Sequence, residues 1–491
     1  MLNLLKILKK TEVSKSPTII VIGDFMLDHY IFGTTSRTSP EAPVPIVEFK
    51  NENYSLGGAG NVVANLYELG ANVIPIGIVG TDSAGLQLKK LIKGKNCDNT
   101  NLIPVNDRYT TIKTRILSAN QQIVRLDKEE IQKIPTSISN QLIKSLNYHI
   151  PKADALIISD YAKGVCSKSM TQKIIEIANS HKVPVLVDPK TSDLTCYQGS
   201  YLITPNLKEF KNIIKNNQNI SDKQISSLAK KLLIKHEIDN LLITKGSEGM
   251  SLVSSKKTIN ISADAKEVFD VSGAGDTVIA TIAFSLAHKI NLENSIHLAN
   301  ISAGIVVSKT GTATVTKEEI IEYIIEKQPT KQKIFNNKDD FSSTLSYLRS
   351  KKKKIVFTNG CFDLLHIGHV SLLEQAAKLG DILIVAINSD NSVKRIKGNE
   401  RPITTEQHRA RILASISEID GVILFNEDTP YELIKLIKPD VLVKGKDYKI
   451  EDVIGKDIVE KNGGSVELID IVENVSTTAI ANHITLLDRG S

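Results

Sequence analysis

The sequence contains no tryptophan, and aromatic residues make up only 5% of its 491 positions. Its cores must therefore be built from Ile, Leu, Val and Ala, which favours parallel sheets covered by helices. Four scattered cysteines, without a CxxC pair or a metal-ligand spacing, predict neither a disulfide framework nor a zinc site. An apolar content of 41% excludes a wholly disordered chain, and the length indicates two large domains or about three of average size.

Long apolar runs and strong charge are also missing. No stretch approaches the roughly 18 apolar residues of a membrane span, and the first ten residues lack the apolar core of a signal peptide. We therefore expect a cytoplasmic protein with no membrane partner. The net charge is only +6, and basic residues do not alternate with aromatic ones, so nucleic acid is not an expected partner. The basic run from Lys351 to Lys354 is typical of a solvated linker end.

Apolar runs alternate with helical patterns through two successive parts of the chain. This alternation predicts βαβ units and an α/β fold in both parts. In the first part the predicted strands are 18–22, 155–158, 183–187, 201–204 and 241–244, and the predicted helices are 170–178 and 225–234. In the second part the predicted strands are 355–358, 382–387, 421–425, 441–443 and 466–468, and the predicted helices are 370–379 and 407–416.

Two segments interrupt this alternation. The proline-bearing segment 33–49 indicates a β-lid or an edge ribbon beside the first sheet. A polar stretch that starts near Pro329 predicts a linker, followed by a short helix at 341–348. We therefore expect a first domain at 1–328, a linker with its short helix at 329–353, and a smaller Rossmann-like domain at 354–491.

The segment 270–277, DVSGAGDT, precedes an apolar-periodic helix. Small residues let a backbone approach a phosphate closely, and amides at a helix start point at an anion. A carboxylate such as Asp276 suits this place if it takes a proton from an attacking hydroxyl. Seen alone, the segment could also be a glycine turn with an Asp in the first helical turn.

Four more clusters lie beside predicted strands and helices of the first domain, where open α/β sheets place ligand groups. They are Gly23-Asp24, GGAGN at 57–61, NLKE at 206–209 and TKG at 244–246. Asp24 has an alternative role, because an Asp after a strand often caps a turn.

GGAGN, the NxxE of Asn206 and Glu209, and DVSGAGDT together resemble the ribokinase-like sugar kinases of the pfkB family. The resemblance implies a three-layer α/β/α fold with a β-lid and phosphoryl transfer from ATP with Mg²⁺. It implies that Asp276 is the catalytic base and that Gly273, Ala274 and Gly275 form an anion hole. It further implies ATP binding by Asn206, Leu207, Lys208, Glu209, Lys245 and Gly246, organisation of Mg²⁺ by Glu209, and sugar binding by Asp24, Gly57, Gly58 and Asn61.

Lys113 and Arg115 flank Thr114 in a predicted strand. Alternation along a strand puts both side chains on one face. They could clamp a terminal phosphate of the sugar, or they could belong to a solvated strand face.

In the second domain, the segment 358–369, TNGCFDLLHIGH, follows a predicted strand and opens a helix. At a helix start, His366 and His369 can both face one bound phosphate, and Gly368 permits close approach. Cys361 is interpreted as a packing residue, since a lone cysteine usually behaves as a small hydrophobe.

The HxGH pattern resembles the nucleotidylyltransferase superfamily. Class I aminoacyl-tRNA synthetases share HIGH but need a downstream KMSKS signature, and the nearest match, KSM at 168–170, lies in the other domain. By resemblance, the histidines stabilise charge while a sugar phosphate attacks the α-phosphorus and pyrophosphate leaves. The resemblance also implies that Lys397 and Arg401, with Lys394 nearby, bind ATP. It implies the same role for Ser476, Thr477 and Thr478, although a Ser/Thr cluster before a helix is an N-cap by default.

The fusion, together with SRTSPEAPVP at 36–45 and SDYAKG at 159–164, resembles the bifunctional enzymes of ADP-heptose biosynthesis. These implied activities are ATP-dependent phosphorylation of D-glycero-β-D-manno-heptose 7-phosphate at C1 and adenylyl transfer from ATP to heptose 1-phosphate. The product would be ADP-heptose, a lipopolysaccharide core precursor, and a separate phosphatase would act between the steps. A homodimer through segment 33–49 is also expected.

Two alternatives stay open at this point. The same pair of enzymes could act on another sugar phosphate or use CTP, because base choice usually rests on backbone contacts. A sensor or scaffold with one inactive domain is the other alternative. The presence of Asp276, His366 and His369 argues against it.

Overall fold

The computed structural model divides into two compact units, residues 3–325 and residues 326–491. The residues that it describes are 4, 8, 11, 15–118, 121–216, 218, 220–264, 268–309, 311–326, 333–336, 341, 342, 344, 345, 348, 349 and 352–470. Both units are α/β, as the alternation of apolar runs and helical patterns predicts. None of the described helices is long and apolar enough to cross a membrane.

The first unit contains a nine-stranded sheet and a four-stranded sheet among its described residues. Its strands are β1 (Thr18–Gly23), β2 (Phe25–Thr38), β3 (Pro45–Gly58), β4 (Asn72–Gly80), β5 (Leu102–Val105), β6 (Thr111–Ser118), β7 (Gln121–Lys128), β8 (Ala155–Ser159), β9 (Val185–Asp188), β10 (Leu202–Ile203), β11 (Asn240–Thr244), β12 (Met250–Ser254) and β13 (Thr258–Ile261). Its helices are α1 (Ala59–Glu68), α2 (Ser83–Gly94), α3 (Thr136–His149), α4 (Lys168–Ser180), α5 (Leu207–Ile213), α6 (Asp222–His236), α7 (Ala274–Ala287), α8 (Leu292–Val306) and α9 (Lys317–Glu326). Short 3₁₀ turns lie at Ile150–Lys152, Leu194–Tyr197 and Gly246–Glu248.

Strand β1 lies inside the large sheet, whose order is β13-β12-β11-β10-β9-β8-β1-β4-β5. Its residues Ile20 and Ile22 belong to a core cluster with side chains of α3, α4 and α6. Ile19 and Val21 point to the opposite face and are also fully buried, and α1 and α7 contact the strand. Helices therefore cover both faces, which explains why this strand reads as a continuous apolar run. The three-layer α/β/α prediction is confirmed.

The large sheet is mixed rather than wholly parallel. From β5 to β11 the strands pair in parallel, but β11, β12 and β13 form an antiparallel edge. The sequence interpretation did not identify β12 and β13.

The four-stranded sheet has the order β3-β2-β6-β7 and forms the lid of the first unit. Long antiparallel strands β2 and β3 pair from Phe25 with Gly58 to Thr38 with Pro45. The lid predicted at 33–49 is therefore present, and its hairpin extends beyond both predicted limits. Strand β6 pairs in parallel with β2, which places Lys113 and Arg115 in the same sheet.

The second unit contains a six-stranded parallel sheet among its described residues, in the order β14-β17-β16-β15-β18-β19. Its strands are β14 (Ile334–Phe335), β15 (Ile355–Gly360), β16 (Ile382–Asn388), β17 (Gly421–Phe425), β18 (Val441–Gly445) and β19 (Ser465–Ile469). Its helices are α10 (Ile367–Ala377), α11 (Asp390–Lys397), α12 (Glu406–Ala414), α13 (Tyr431–Ile437) and α14 (Lys456–Lys461), with a 3₁₀ turn at Ile450–Asp452.

Part of the expected linker takes part in this second sheet. Strand β14 lies within segment 329–353, and it pairs in parallel with β17. Phe335 packs edge to face on Phe341 in the core, with ring centroids 5.0 Å apart. The rest of the expected linker and its short helix lie partly outside the described residues.

Candidate active sites

Asp276 lies in the first turn of α7, directly after the glycine turn that opens the helix. The N-cap residue Gly273 has a φ of +79°, which favours glycine. A Cβ on Gly273 would also lie 2.5 Å from Nδ2 of Asn61. Gly275 faces open space, because no described residue beyond its own helix turn has an atom within 4 Å of a Cβ placed there. An anion can therefore approach the amides at this helix start.

Two side chains hold the carboxylate of Asp276 from opposite sides. Asn61 donates from Nδ2 to Oδ2 over 2.8 Å, and the Tyr161 hydroxyl donates to Oδ1 over 2.9 Å. Burial raises the pKa of Asp276 to about 6, while these two hydrogen bonds and Lys113 oppose the increase and Asp28 adds to it. The group is ionised at neutral pH and has the proton affinity of an effective general base.

A chain of amide and hydroxyl groups fixes Asn61 itself. Asn65 donates to the main-chain oxygen of Asn61 over 3.0 Å and to its Oδ1 over 3.3 Å. Thr277 in turn donates to Oδ1 of Asn65 over 3.0 Å. Asn61, expected as a sugar ligand, therefore also orients the carboxylate of Asp276.

Asp24 caps the loop that carries Tyr161. Its two carboxylate oxygens accept hydrogen bonds from the main-chain N–H groups of Tyr161, Lys163 and Val165, at 3.0, 2.9 and 3.2 Å. Burial raises its pKa despite these bonds. This geometry matches the turn-capping alternative for Asp24, whereas the family resemblance implied contact with sugar hydroxyls.

Asp28 is a buried carboxylate that the sequence interpretation missed. Arg115 donates from Nη1 to its Oδ1 over 2.6 Å, and the hydroxyl of Thr312 donates to its Oδ2 over 3.0 Å. A Cβ on Gly57 would lie 2.7 Å from Oδ2, so glycine leaves room for this carboxylate. Gly58 adds a positive φ of +55° at the end of β3. The signal in the sequence was an Asp directly after the apolar residues that start β2, FML.

Lys113 and Arg115 both face this site, as alternation along β6 predicts. The Nζ of Lys113 lies 5.8 Å from the ring centroid of Tyr161. Burial lowers the pKa of Lys113, and Asp28 opposes that change. The guanidinium of Arg115 lies 5.2 Å from the ring centroid of Tyr30. The cations of Lys113 and Arg115 therefore lie beside the carboxylates of Asp28 and Asp276. This position does not fit the alternative of a solvated strand face.

A cleft of about 220 Å³ extends from Asp276 along the carboxyl ends of the strands. It is lined by Asp160, Tyr161, Asp188, Pro189, Lys190, Thr204, Asn206, Glu209, Thr244, Gly273, Gly275 and Asp276. The structure thus brings the glycine turn and the NxxE residues to one cavity.

Asn206 and Glu209 form a capping box at the start of α5 inside this cleft. Oδ1 of Asn206 accepts from the Glu209 amide over 2.9 Å, and Oε2 of Glu209 accepts from the Asn206 amide over 3.0 Å. Lys190 lies 3.4 Å from Oε1 of Glu209. Burial, together with the charges of Asp276 and Glu209, raises the pKa of Asp188 well above its usual range.

Four expected ATP ligands lie outside the lining of this cleft. Lys245 forms an ion pair with Asp222, with 2.9 Å between Nζ and Oδ1, and its side chain is only 4% exposed. The described residues that line the cavity also do not include Gly246, Leu207 or Lys208. They do include Thr244, two residues before Gly246.

In the second unit, His366 is the N-cap of α10 and His369 lies in its first turn. Their rings stack with centroids 3.8 Å apart. Burial, with His366 and Lys397 nearby, lowers the pKa of His369 to about 4, and burial lowers the pKa of His366. Both Nδ1 atoms are buried without a hydrogen-bond partner among the described residues. Two imidazoles with lowered pKa values therefore lie together at a helix start.

The loop before this helix is held by a buried carboxylate. Asp363 accepts from Nη1 of Arg401 over 2.6 Å and from the amides of Ile403 and Thr404 over 2.7 and 3.0 Å. Phe362 has a φ of +45° and lies with its ring 5.1 Å from that of His369. Arg401, expected to bind ATP, is thus fixed beside the HxGH segment by Asp363.

The remaining expected residues of the second site have different positions. Lys397 ends α11 and is close enough to influence the pKa of His369. Sγ of Cys361 lies 3.9 Å from Oδ1 of Asn388, consistent with packing. Ser476, Thr477 and Thr478 lie outside the described residues.

Arg409 is a second residue that the sequence interpretation missed. It is 1% exposed and donates hydrogen bonds to the main-chain oxygens of Cys361 and Asn388 and to Oδ1 of Asp390. It therefore ties the loop after β15 to the end of β16. An arginine on a helix usually lies at the surface, so only the structure reveals this role.

Comparisons with known proteins find a match for each of the two units. A family model described as pfkB family carbohydrate kinase matches residues 16–319, and one described as Cytidylyltransferase-like matches residues 357–483. A protein of Aliarcobacter butzleri named Bifunctional protein HldE is 45% identical over 475 residues, covering 96% of this chain and 98% of that protein. Its namesake from Helicobacter hepaticus is 44% identical over 474 residues, covering 96% and 97%.

The chain belongs to the HldE family of bifunctional proteins. It carries a kinase activity and an adenylyltransferase activity in ADP-heptose biosynthesis, as the sequence predicted. Kinase and nucleotidyltransferase folds use ATP. The sensor or scaffold alternative is therefore wrong.

Solved structures confirm the fold of the HldE kinase unit. Ribokinase of Arabidopsis thaliana, solved with ribose and ATP, superposes with a TM-score of 0.51 at 18% identity, covering 63% of this chain and 99% of that one. Phosphofructokinase-2 of Escherichia coli, solved with potassium, gives 0.53 at 16% identity, covering 64% and 100%.

Proposed function

We propose that the first unit transfers the γ-phosphate of ATP to the C1 hydroxyl of D-glycero-β-D-manno-heptose 7-phosphate, with Asp276 as the catalytic base. The position of this carboxylate supports the proposal most strongly, because it lies at an open helix start and between two hydrogen-bond donors. Phosphoryl transfer needs alignment and charge neutralisation more than covalent chemistry.

In this mechanism the C1 hydroxyl gives its proton to Asp276 while its oxygen attacks the γ-phosphorus. The amides at the start of α7, after Gly273, then stabilise the charge on the transferring phosphoryl group. Lys113 and Arg115 bind the C7 phosphate, and Asp28 accepts hydrogen bonds from sugar hydroxyls. This assignment agrees with the placement of both cations and of Asp28 beside the base.

The donor set of the cleft fits Mg²⁺, which prefers carboxylate oxygens and phosphates. Glu209 lines the cleft, and so does Asp188, whose carboxylate has no hydrogen-bond partner among the described residues. We assign the metal to these two residues and ATP to the cleft. When bound, the metal neutralises charge on the β- and γ-phosphates.

For the second unit we propose adenylyl transfer from ATP to heptose 1-phosphate. An oxygen of the sugar phosphate attacks the α-phosphorus, the bond to the β-phosphate breaks, and pyrophosphate leaves. His366 and His369 donate hydrogen bonds to the triphosphate, and Lys397, Arg401 and the segment 476–478 bind it. The paired imidazoles at a helix start support this assignment. A separate phosphatase must remove the C7 phosphate between the two steps.

We also propose a cytoplasmic homodimer joined through the lid, at segment 33–49. Phe49 at this segment is 64% exposed and Val44 is 52% exposed, and strand β7 at the lid edge is exposed throughout. Exposed apolar residues on an edge strand favour pairing with another chain. Light scattering at micromolar concentration should give twice the mass of 53.9 kDa, and a monomer would refute the dimer.

A substrate panel tests these assignments. The purified chain receives Mg-ATP with heptose 7-phosphate, fructose 6-phosphate or ribose, and ADP release is followed. Heptose 1-phosphate is then offered with ATP or with CTP, and pyrophosphate release is followed. We expect activity with the heptose phosphates and ATP. Preference for another sugar, or for CTP, would favour the alternative substrates.

A further inference from the structure

Lys444 lies where the strand order of the second unit reverses. β16 and β17 lie on one side of β15, and β18 and β19 lie on the other. In open α/β sheets, the crevice at the carboxyl ends of such strands binds ligands. Lys444 is near the carboxyl end of β18, and its Nζ donates to the main-chain oxygen of Asn359 on β15 over 3.0 Å.

The ammonium group of Lys444 is largely buried and has unused hydrogen-bonding capacity. A lysine carries three donors, and only the bond to Asn359 is present among the described residues. The ring of Tyr448 lies 5.3 Å away, and the charged or titratable groups that face Lys444 are Asp447 and the Cys361 thiol. No carboxylate forms an ion pair with it in the described part of the chain. Burying such a cation is costly unless an anion joins it.

A second polar atom at the same place also lacks a partner. Oδ1 of Asn359 is buried without a hydrogen bond among the described residues. The HxGH segment follows directly after β15, so Asn359 and Lys444 lie at the edge from which the histidine loop leaves. A ligand with an anionic oxygen for Lys444 and a hydroxyl donor for Asn359 would satisfy both groups. A sugar phosphate has both.

We propose that Lys444 and Asn359 form the subsite for the acceptor in adenylyl transfer, with Lys444 on the phosphate of the sugar 1-phosphate and Asn359 Oδ1 on a sugar hydroxyl. The inference rests on the proposed function of the second unit. In that assignment His366, His369, Lys397 and Arg401 bind ATP, so the attacking phosphate needs a further cation. Lys444 positions that phosphate, and no proton transfer is required because the attacking oxygen is already anionic.

The test compares Lys444→Met with Lys446→Met in the full chain. Lys446 lies two residues after Lys444, is exposed and pairs with Asp470, so its variant is the matched control. For Lys444→Met we expect the KM for heptose 1-phosphate to rise by about tenfold or more, as expected when a buried charge loses its partner. The KM for ATP and the kinase activity should stay within about twofold. A rise in the KM for ATP alone, or no change in either, would overturn the proposal.

A pH series separates binding from a packing role. Burial lowers the pKa of Lys444 to about 8. The KM for the sugar phosphate should therefore rise as the pH passes above 8, and Lys444→Arg should abolish that rise because arginine stays charged. An unchanged profile in Lys444→Arg would contradict the subsite.

If Lys444→Met does not fold, Asn359→Asp provides a second test of the subsite. A negative charge beside the bound phosphate should raise the KM for heptose 1-phosphate, and an unchanged KM would overturn the proposal. The unmodified chain is assayed first. If it rejects heptose 1-phosphate but uses another sugar 1-phosphate, the substrate assignment fails, and the variants are compared on the accepted substrate.

Discussion

Tyr161 donates a hydrogen bond from its hydroxyl to Oδ1 of Asp276 over 2.9 Å, across 115 positions of the chain. The loop that carries Tyr161 is itself held by Asp24 through three main-chain amides. The loop that carries Tyr161 and the start of α7, which are far apart in the sequence, therefore meet at the carboxylate of Asp276. The arrangement makes the proton affinity of Asp276 depend on a loop far away in the sequence.

Tyr161→Phe should move the acid limb of the kinase pH profile upward. Asp276 acts as a base only when ionised, so activity falls as the pH drops through its pKa of about 6. The hydrogen bond from Tyr161 lowers that pKa, and its loss should raise it. kcat measured from pH 5 to 9 checks this. Tyr197→Phe, which removes a hydrogen bond to Asp160 instead, should leave the midpoint unchanged. An unmoved midpoint in Tyr161→Phe would contradict its role.

Asp276→Asn should abolish most kinase turnover while leaving adenylyl transfer intact. The amide cannot accept the proton of the attacking hydroxyl, and loss of a general base typically costs about 10²–10⁴-fold in kcat. ADP release and pyrophosphate release, measured separately on the same preparation, check both activities. Loss of both would show that the two sites do not act independently.

His369→Ala should lower adenylyl transfer by about 10²–10³-fold, the usual effect of losing one preorganised donor to a transition state. The kinase activity should not change, because His369 belongs to the other unit. His408→Ala is the matched control, since His408 is an exposed histidine on α12 of the same unit. Equal activities of the two variants would contradict the assigned role.

Asp24→Ala should chiefly lower stability, whereas Asp28→Ala should chiefly weaken substrate binding. Loss of Asp24 leaves three amides of the Tyr161 loop without an acceptor, so the free energy of unfolding should fall by about 1–3 kcal/mol. Loss of Asp28 should chiefly raise the KM for the sugar, because its carboxylate faces the proposed substrate site. Denaturant unfolding and initial rates distinguish the two effects. The reverse pattern would restore Asp24 as the sugar ligand.

The sequence predicted those strands and helix starts that depend only on residues close together in the chain. Residues 18–22 form a buried strand because an unbroken apolar run suits a strand covered on both faces. The HxGH histidines lie at a helix start because TNG and the following apolar period define a strand end and a helix. The glycine turn before Asp276 was visible for the same reason.

Roles that depend on distant partners were not predictable in this way. Asp28 is recognisable as a site residue only because Arg115 and Thr312, 87 and 284 positions away, reach its carboxylate. Lys245 looked like a phosphate ligand, but Asp222 on α6 pairs with its ammonium. The antiparallel strands β12 and β13 were missed because short strands at a sheet edge carry a weak pattern.

Mass spectrometry of the products tests the central claim, two activities in a fixed order, most directly. The unmodified chain is incubated with heptose 7-phosphate and Mg-ATP, with and without an added C7 phosphatase. We predict a heptose bisphosphate alone without the phosphatase, and ADP-heptose once the phosphatase is present. Absence of the bisphosphate, or ADP-heptose formed without the phosphatase in a phosphatase-free preparation, would contradict the account.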